Sequence, residues 1–493
     1  MATQHVNKIT VFMYRPGGTG DCFLLQFKKG NQVSFNLMID CGCITGGKQN
    51  FEPILDDLTA KTKGKIDLLV LTHEHADHIN GFTSVAEKFV NLTIAKVWFA
   101  WTENKDDPEA NNYREYHTEQ KMALAQATAK LNKLERDHYF HKLLELENQG
   151  AELADGIHHF IESLNGLNGL NEATMAANGT TPETMEDILR RLKIIDNNTV
   201  VEYRYPGQTL EDVLGAEGIR FFILGPPKSL DLLSKEEGKN EGYEKRENKS
   251  TTNLAFIEAL SVSEDNAQDQ IPFESDFFFA ATPTEAFVEF KEKYHAEEQA
   301  WRKIDHDWLF GGAELALRLE QSINNTSLVM AIQFKDSEKI LLFPGDAEYG
   351  NWLSWHDPQL NWSFVKNNVL QTVKVDYIFK NTVLYKVGHH LSQNGTGKEI
   401  GLEQIKHPEL AAMVTLDFKK ILPGWLNTMP NDFIGAELIN KTKGKLFFSG
   451  AYEPILKNIQ TPRVSINANH LKETVKNNKK FVGKIAVEYS VKG

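Results

Sequence analysis

The stretch that most constrains this chain is LTHEHADHINGF, residues 71–82. It completes the apolar run KIDLLVLT and sets three histidines, a glutamate and an aspartate in the six positions from His73 to His78. A short apolar run, a polar break and then the helical spacing of GFTSVAEKFV read as strand, loop and helix. Imidazoles and carboxylates are the natural ligands of Zn²⁺ and similar first-row ions, and a turn lets alternate residues face one or two of them. The spacing H-x-H-x-D-H assigns His73 and His75 to one ion and Asp77 and His78 to a second. The fold must therefore be of the α/β class, with a buried strand delivering a metal site at its end.

The rest of the chain supplies the companion strands. NKITVFMY, CFLLQF and VSFNLMID, separated by the turns RPGGTGD and KKGNQ, read as a β-meander, and FEPILDDLTA follows as a helix. Later come TVVEYRYP, GIRFFILGPP, SLVMAIQF, KILLFPGDAE, TVLYKVGHH, AAMVTLDF and GKLFFSG, each a short apolar strand closing on polar residues or glycine. Two sets of strands with helices after them predict a β-sandwich flanked by helices, its motifs gathered on one edge. Two segments break this texture. Residues 104–190 are polar and helix-forming, with NGLNGLNEATMAANGTTPET as a loop. Residues 229–320 hold the charged SKEEGKNEGYEKRENKS and the helical IDHDWLFGGAELALRLEQSI. The domain reading is thus a catalytic domain over 1–450, interrupted by a helical insertion at 104–190 and a charged, helical one at 229–320, then a C-terminal extension at 451–493.

Composition narrows the setting. At 493 residues the chain has room for two to four units or for one domain with large insertions. Hydrophobic residues at 41% and charged ones at 25% fit a globular core. Three cysteines are too few for a disulfide framework and fit a reducing compartment, and Cys41-Gly-Cys43 reads as small residues beside a strand end. A net charge of −13 makes long-range attraction to nucleic acid or an anionic membrane something other than the default, while leaving room for a local basic groove. The opening residues show no leader pattern and no run of 18 apolar residues occurs, so a cytoplasmic, unanchored protein with no membrane partner is expected.

Further ligands must come from elsewhere. LLFPGDAE offers Asp346 after a strand and a glycine; VLYKVGHHLSQNGT offers His389 and His390 after another. Alone, the first is usually a turn and the second usually structural; behind H-x-H-x-D-H they become ligand candidates. With them the chain resembles the metallo-β-lactamase superfamily, and within it the metallo-hydrolase domain of competence-type DNA-uptake channel proteins and related soluble enzymes. GTGDCFLLQF with LMIDCG, LTHEHADHINGF, FFILGPP, NNTSLVMAIQF, LLFPGDAE and YKVGHHLSQNGT carry the likeness. The resemblance implies an αββα sandwich with large helical insertions and two divalent ions, zinc or manganese, at one edge. It implies that Asp346 bridges the ions, that the histidine pair completes the second site, and that Asp40 and Asp21 support the ligand imidazoles from behind. For Asp40 a plain turn residue is the competing reading.

Three departures from the family bear on the site. Leu391 stands where glycine usually follows the histidine pair; His389 is carried over as the ligand and His390 as a catalytic neighbour, with the choice between them open. NNTSLV stands where many members supply a third histidine for the first ion, leaving Asn325, water or an insertion residue such as His306 to complete it. The channel is missing, so DNA uptake does not transfer.

The chemistry implied is direct attack by a metal-activated water, because no nucleophile triad is present. Asp77, Asp346 and His390 form the candidate catalytic group, with Asp77 or Asp346 orienting the water. Ser392, Gln393, Asn394 and Thr396 offer donors for substrate oxygens. His75 occupies the position where redox-active diiron relatives carry glutamate, which favours hydrolysis. The T-P-G-H-T motif of thiolesterases and many lactamases is absent, as are the extra motifs of RNA-processing relatives. The leading expectation is a phosphodiesterase or nuclease acting on nucleic acid, in a setting such as bacterial defence. One alternative is a small-molecule ester or lactone hydrolase. The other is a docking module whose helical insertions bind a protein partner or a second copy, with a regulated or vestigial metal site.

Overall fold

The computed structural model describes residues 4–44, 47–115, 184–211, 213–235, 293, 322–421, 429–459, 465–480 and 485–493. The chain divides into two compact units. One comprises Met1–Tyr116, Asn165–Glu247 and Arg318–Gly493, and the other His117–Leu164 with Asn248–Leu317. The first unit carries the strands and every residue of the metal motif.

Its strands are β1 (Lys8–Tyr14), β2 (Phe23–Lys29), β3 (Gln32–Ile39), β4 (Lys65–Ile66), β5 (Leu68–Val70), β6 (Thr93–Ile94), β7 (Lys96–Ala100), β8 (Val200–Arg204) and β9 (Thr209–Leu210). The series continues with β10 (Ile219–Gly225), β11 (Val329–Phe334), β12 (Ile340–Phe343), β13 (Trp362–Lys366), β14 (Val369–Val373), β15 (Thr382–Lys386), β16 (Ala411–Val414), β17 (Leu446–Phe448) and β18 (Ala486–Lys492). Two seven-stranded sheets result, in the orders β18-β1-β2-β3-β5-β7-β8 and β17-β16-β15-β12-β11-β10-β9. Short ribbons β4-β6 and β13-β14 stand apart.

The near-continuous apolar runs follow from each sheet being covered on both faces. On β1, Ile9, Val11 and Met13 enter the cluster between the sheets, while Phe12 and Tyr14 enter a cluster on the outer face. On β12, Leu341 and Phe343 point inward and Ile340 and Leu342 outward, the period of two expected of a pleated strand. Across the gap Phe23 meets Phe343 edge to face at 5.6 Å, and Phe27 lies over Phe221 at 6.2 Å. The first outer face is closed by Phe51, Ile54, Leu55 and Leu58 of helix Lys48–Thr62 and by Ile79 and Phe82 of helix Ala76–Ser84. The second is closed by helices Tyr349–Ser354, Val375–Asn381 and Asp432–Lys441, through Trp352, Ile378, Phe379, Ile434, Leu438 and Ile439.

Strand directions gather the loops. β3, β5 and β7 run parallel, so their carboxyl ends share an edge, and β2, antiparallel to β3, begins there. In the second sheet β12, β15, β16 and β17 run parallel and end together, and β11, antiparallel to β12, begins beside them. A bridge between Thr19 and Leu416 and a hydrogen bond from Leu328 N to Thr72 O of 2.9 Å join the two sheets along this edge.

Three elements depart from the sequence reading. KVWFA, absent from the strands read in the sequence, forms β7 between β5 and β8. NWSFVKNNVLQTV makes the hairpin β13-β14, whose turn residues Asn367 and Asn368 have φ of 52° and 63°, the left-handed pair a tight hairpin requires. Residues 451–493, read as an extension, supply β18, which pairs with β1 along its length. The two stretches read as insertions fall, in sequence, between strands that pair with each other, β7 and β8 in one case and β10 and β11 in the other. Residues 116–183, which hold the loop and most of the helical texture of the first, and 236–292 and 294–321 of the second, His306 among them, lie outside the described residues. No helix among the described residues is long and apolar enough to cross a membrane.

Candidate metal centre

β5 ends at Val70, Leu71 and Thr72 carry the chain over the edge, and helix Ala76–Ser84 starts with His75 as its N-cap. Asp77 and His78 sit in the first turn of that helix, where a carboxylate is favoured by the helix dipole. Backbone bonds pin this turn to the ends of β2 and β3: Asp21 N donates to Asp77 O at 2.9 Å and Cys41 N to His78 O at 2.7 Å. Asp346 follows β12 after Pro344 and Gly345. Gly345 has φ of 58° and leaves its missing side chain's place to Ser327 and Thr72, 3.1 to 3.2 Å away. The histidine pair follows β15 in an unusual backbone: His389, His390 and Leu391 have φ of 43°, 51° and 71°. Left-handed conformations cost an L-residue roughly 1–2 kcal/mol each. Three in succession turn the chain back sharply and aim the second histidine inward.

Asp77, His78, Asp346 and His390 each offer a ligand atom, all within 4.8 Å of one another and all buried. His78 Nε2 lies 3.0 Å from Asp346 Oδ2; His390 Nε2 lies 2.9 Å from the same oxygen and 3.0 Å from Asp77 Oδ2. These contacts are short but lack hydrogen-bond geometry, so both Nε2 atoms are buried without a hydrogen-bond partner. Buried polar atoms are normally satisfied. Two imidazole nitrogens and two carboxylate oxygens converging in this way fit a first-row divalent cation.

The outer nitrogens are held. His78 Nδ1 donates to Asp40 Oδ2 at 2.8 Å, and Thr72 donates to Asp40 from both N and Oγ1, at 2.8 and 2.6 Å. His390 Nδ1 faces Thr415 Oγ1 at 2.9 Å and Thr415 O at 3.1 Å, and that hydroxyl donates to Asp21 Oδ1 at 2.6 Å. Asp40 therefore stands behind His78 directly, and Asp21 behind His390 through Thr415. Each chain fixes the tautomer that points Nε2 inward. Lys386, on β15 and 1% exposed, places Nζ 3.0 Å from Asp346 Oδ1, 2.7 Å from Asp21 Oδ2 and 2.9 Å from Gly345 O.

The charges interlock. Burial opposes the charge of His78, but Asp346, Asp77 and Asp40 raise its pKa well above the ordinary histidine range; His390 is raised against its burial by Asp346 and Asp77. Burial likewise opposes ionisation of Asp346, yet His390, Lys386 and His78 hold its carboxyl well below the usual range. Without metal, imidazolium cations thus neutralise the carboxylates. His73 and His75 behave differently. Burial, reinforced by His78, pushes His73 well down, and burial takes His75 to about 4, so both are neutral at pH 7.

His73 Nε2 lies 3.1 Å from His75 Nδ1. Two nitrogens on one tetrahedral zinc stand roughly 3.3 Å apart, from Zn–N bonds of about 2.0–2.1 Å. Thr72 Oγ1 and Ser327 Oγ occupy the other nitrogen of His73, at 3.1 and 3.3 Å. Among the described residues, no third histidine, cysteine or carboxylate joins this pair within 4.8 Å. Asn325, a candidate for that place, is otherwise engaged: its Oδ1 accepts from Glu348 N at 3.1 Å, and its carbonyl accepts from Asn351 Nδ2 at 2.6 Å.

Of the histidine pair, the structure brings His390 into the ligand group and not His389, whose Nδ1 lies 3.4 Å from Glu348 Oε1. The left-handed turn is the physical reason. Ser392, Asn394 and Thr396, the expected substrate donors, are used inside the protein: Ser392 Oγ donates to Asn394 Oδ1 at 2.5 Å, and Thr396 Oγ1 pairs with Tyr385 OH at 2.8 Å. Sequence reasoning missed Lys386, Thr415, Thr72 and Ser327. Lys386 had a signal, as the one charged residue in the strand TVLYK. The hydroxyl residues had none.

No curated protein sequence matches the chain. Residues 15–115 match the family profile described as the metallo-beta-lactamase superfamily, a stretch that carries His73, His75, Asp77, His78, Asp21 and Asp40 but ends long before Asp346 and His390.

Proposed function

We propose that the protein is a metal-dependent hydrolase of the metallo-β-lactamase type: an αββα sandwich interrupted at 104–190 and 229–320, holding two divalent ions, zinc or manganese, and cutting a phosphodiester in nucleic acid. The observation that supports it most is the convergence of Asp77, His78, Asp346 and His390, whose inward Nε2 atoms meet no hydrogen-bond geometry and, among the described residues, contact only the carboxylates of Asp77 and Asp346. These residues would hold one ion, and His73 Nε2 with His75 Nδ1 the other. When bound, such ions supply activation of a water and polarisation of the ester under attack.

The chain's own contributions are positional. Asp40 and the Asp21-Thr415 relay fix His78 and His390 in the tautomer that faces inward. Burial keeps bulk water away from the back of the site. The phosphodiester assignment rests on the likeness of the stretches around Asp346 and His390 to competence-type metallo-hydrolase domains, and on the suitability of a phosphate for two cations.

The test is to strip the full chain with chelator, reload it with Mn²⁺ or Zn²⁺, and offer single-stranded DNA, duplex DNA, bis-p-nitrophenyl phosphate, p-nitrophenyl acetate and a simple lactone. Metal-dependent cleavage of a phosphodiester, lost in the double variant Asp77→Ala/His78→Ala, is the expected result. Cleavage of the ester or lactone alone transfers the substrate assignment to that reading. Activity unchanged in the double variant removes the site from the chemistry.

A further inference from the structure

Lys386 is not a ligand, yet its ammonium stands inside the ligand group. Its three N–H donors are matched by three acceptors: Asp346 Oδ1, Asp21 Oδ2 and Gly345 O, at 3.0, 2.7 and 2.9 Å. The two oxygens of Asp346 are thereby divided. Oδ2 faces the inward nitrogens of His78 and His390, and Oδ1 is committed to Lys386. A carboxylate that spans two cations in the common way gives one oxygen to each. Here one of those oxygens is already taken by a buried cation belonging to the protein. On the other side, His73 and His75 have no third ligand-type side chain within reach among the described residues.

We infer that Lys386 is a positioning residue that confines Asp346 to one coordinating oxygen and makes the centre asymmetric: one ion held tightly by Asp77, His78, Asp346 and His390, and a second held weakly by His73 and His75. This rests on the metal-dependent reading above. Asp346 gives Oδ2 to the first ion, and Oδ1, the oxygen left over for the second, is engaged by Lys386. The weak site then keeps open positions for water and substrate, the arrangement that catalytic rather than structural sites show.

The sign of the effect separates this role from a structural one. A lysine that merely holds the fold would, on removal, weaken both ions. A lysine that withholds Oδ1 would, on removal, strengthen the second ion. The experiment is Zn²⁺ titration of the chelator-stripped full chain by calorimetry, with native mass spectrometry at one equivalent of zinc. The wild-type protein should give two events with dissociation constants about 10⁴-fold or more apart, because the second ion lacks two of the first ion's four protein ligands. At one equivalent, the one-ion species should predominate. In Lys386→Met the second constant should tighten by about tenfold or more, the scale of one hydrogen bond to a charged group, while the first tightens less. Two equally tight ions in the wild type, or a mixture of metal-free and two-ion protein at one equivalent, would overturn the inference without touching the metal-dependent reading. So would a Lys386→Met second constant that is unchanged or weaker. Absence of any zinc binding by the wild type would remove the metal-dependent reading itself. The mass-spectrometric result on the wild type can overturn the inference even if the variant does not fold.

Discussion

His389 and His390 differ by one position, and the structure assigns them opposite fates, so substituting each in turn is the sharpest test of the site. His390 is one of four residues whose ligand atoms converge, its Nε2 lying 2.9 and 3.0 Å from two carboxylate oxygens; His389 lies against Glu348. Four-ligand zinc sites bind with roughly 10–16 kcal/mol, so one ligand carries about 2.5–4 kcal/mol, or about 10²–10³ in affinity. His390→Ala should therefore weaken the tighter zinc ion by that factor. His389→Ala should change it by less than about threefold. A second readout comes from charge. Without metal, His390 lies between Asp77 and Asp346, and its loss leaves those carboxylates sharing the remaining cations, His78 and Lys386. The metal-free His390→Ala protein should unfold at lower urea than the wild type, and zinc should restore little of the difference. Competition against a zinc-sensitive dye measures the affinities, and urea titration followed by tryptophan fluorescence measures the stabilities. If His389→Ala costs more zinc affinity than His390→Ala, the left-handed turn has been misassigned and the ligand group with it.

Three further outcomes are expected. Zinc binding to the four-residue group should release protons at pH 7, because His78 is raised well above the ordinary histidine range and His390 is raised as well, whereas His73 and His75 have none to give. Affinity should accordingly rise with pH until those two groups have titrated. The same raised values stabilise the metal-free fold fully below about pH 6.5 and lose that contribution as pH rises through them; calorimetry in buffers of different ionisation enthalpy counts the protons, and none released would refute the account. Phe23→Ala, which empties the contact with Phe343 between the sheets, should cost about 3–5 kcal/mol in urea unfolding, and a loss under about 1 kcal/mol would mean the sheets do not pack there. Gly42→Ala would put a methyl group 2.2 Å from Asp77 C and 2.3 Å from His78 N, so the metal-bearing turn must move; turnover on the cleaved substrate should fall by about 100-fold with the fold retained, and undiminished turnover would show that the turn has slack.

How much of this was legible in the sequence depended on how local the determinant is. H-x-H-x-D-H could be read because strand, loop and helix all lie within residues 65–84, and the turn's direction is set by the strand ending there. The sheet edge could be read in outline because parallel strands end together. The choice between His389 and His390 could not, since it depends on three successive left-handed residues, and though histidine enters that region more often than most, a run of three ending on leucine is signalled by no local propensity. The internal hydrogen bonds of the hydroxyl residues could not be read for a related reason. Ser392 and Thr396 carry the groups a substrate oxygen needs, but buried hydroxyls are satisfied within the protein first, and here by Asn394 and Tyr385. Lys386 shows the opposite case, in which the sequence spoke and the meaning was missed. A lysine within a strand whose other residues are all buried and largely apolar must find anions or not be there. The strand ends one residue before Val387-Gly388 and the histidine pair, so the anions had to be those of the same edge: Asp21 and Asp346. A buried charge in an apolar strand therefore identifies its own partners once the edge is known. It carries more information about how the carboxylate oxygens of the candidate site are shared out than the donor residues that come after it.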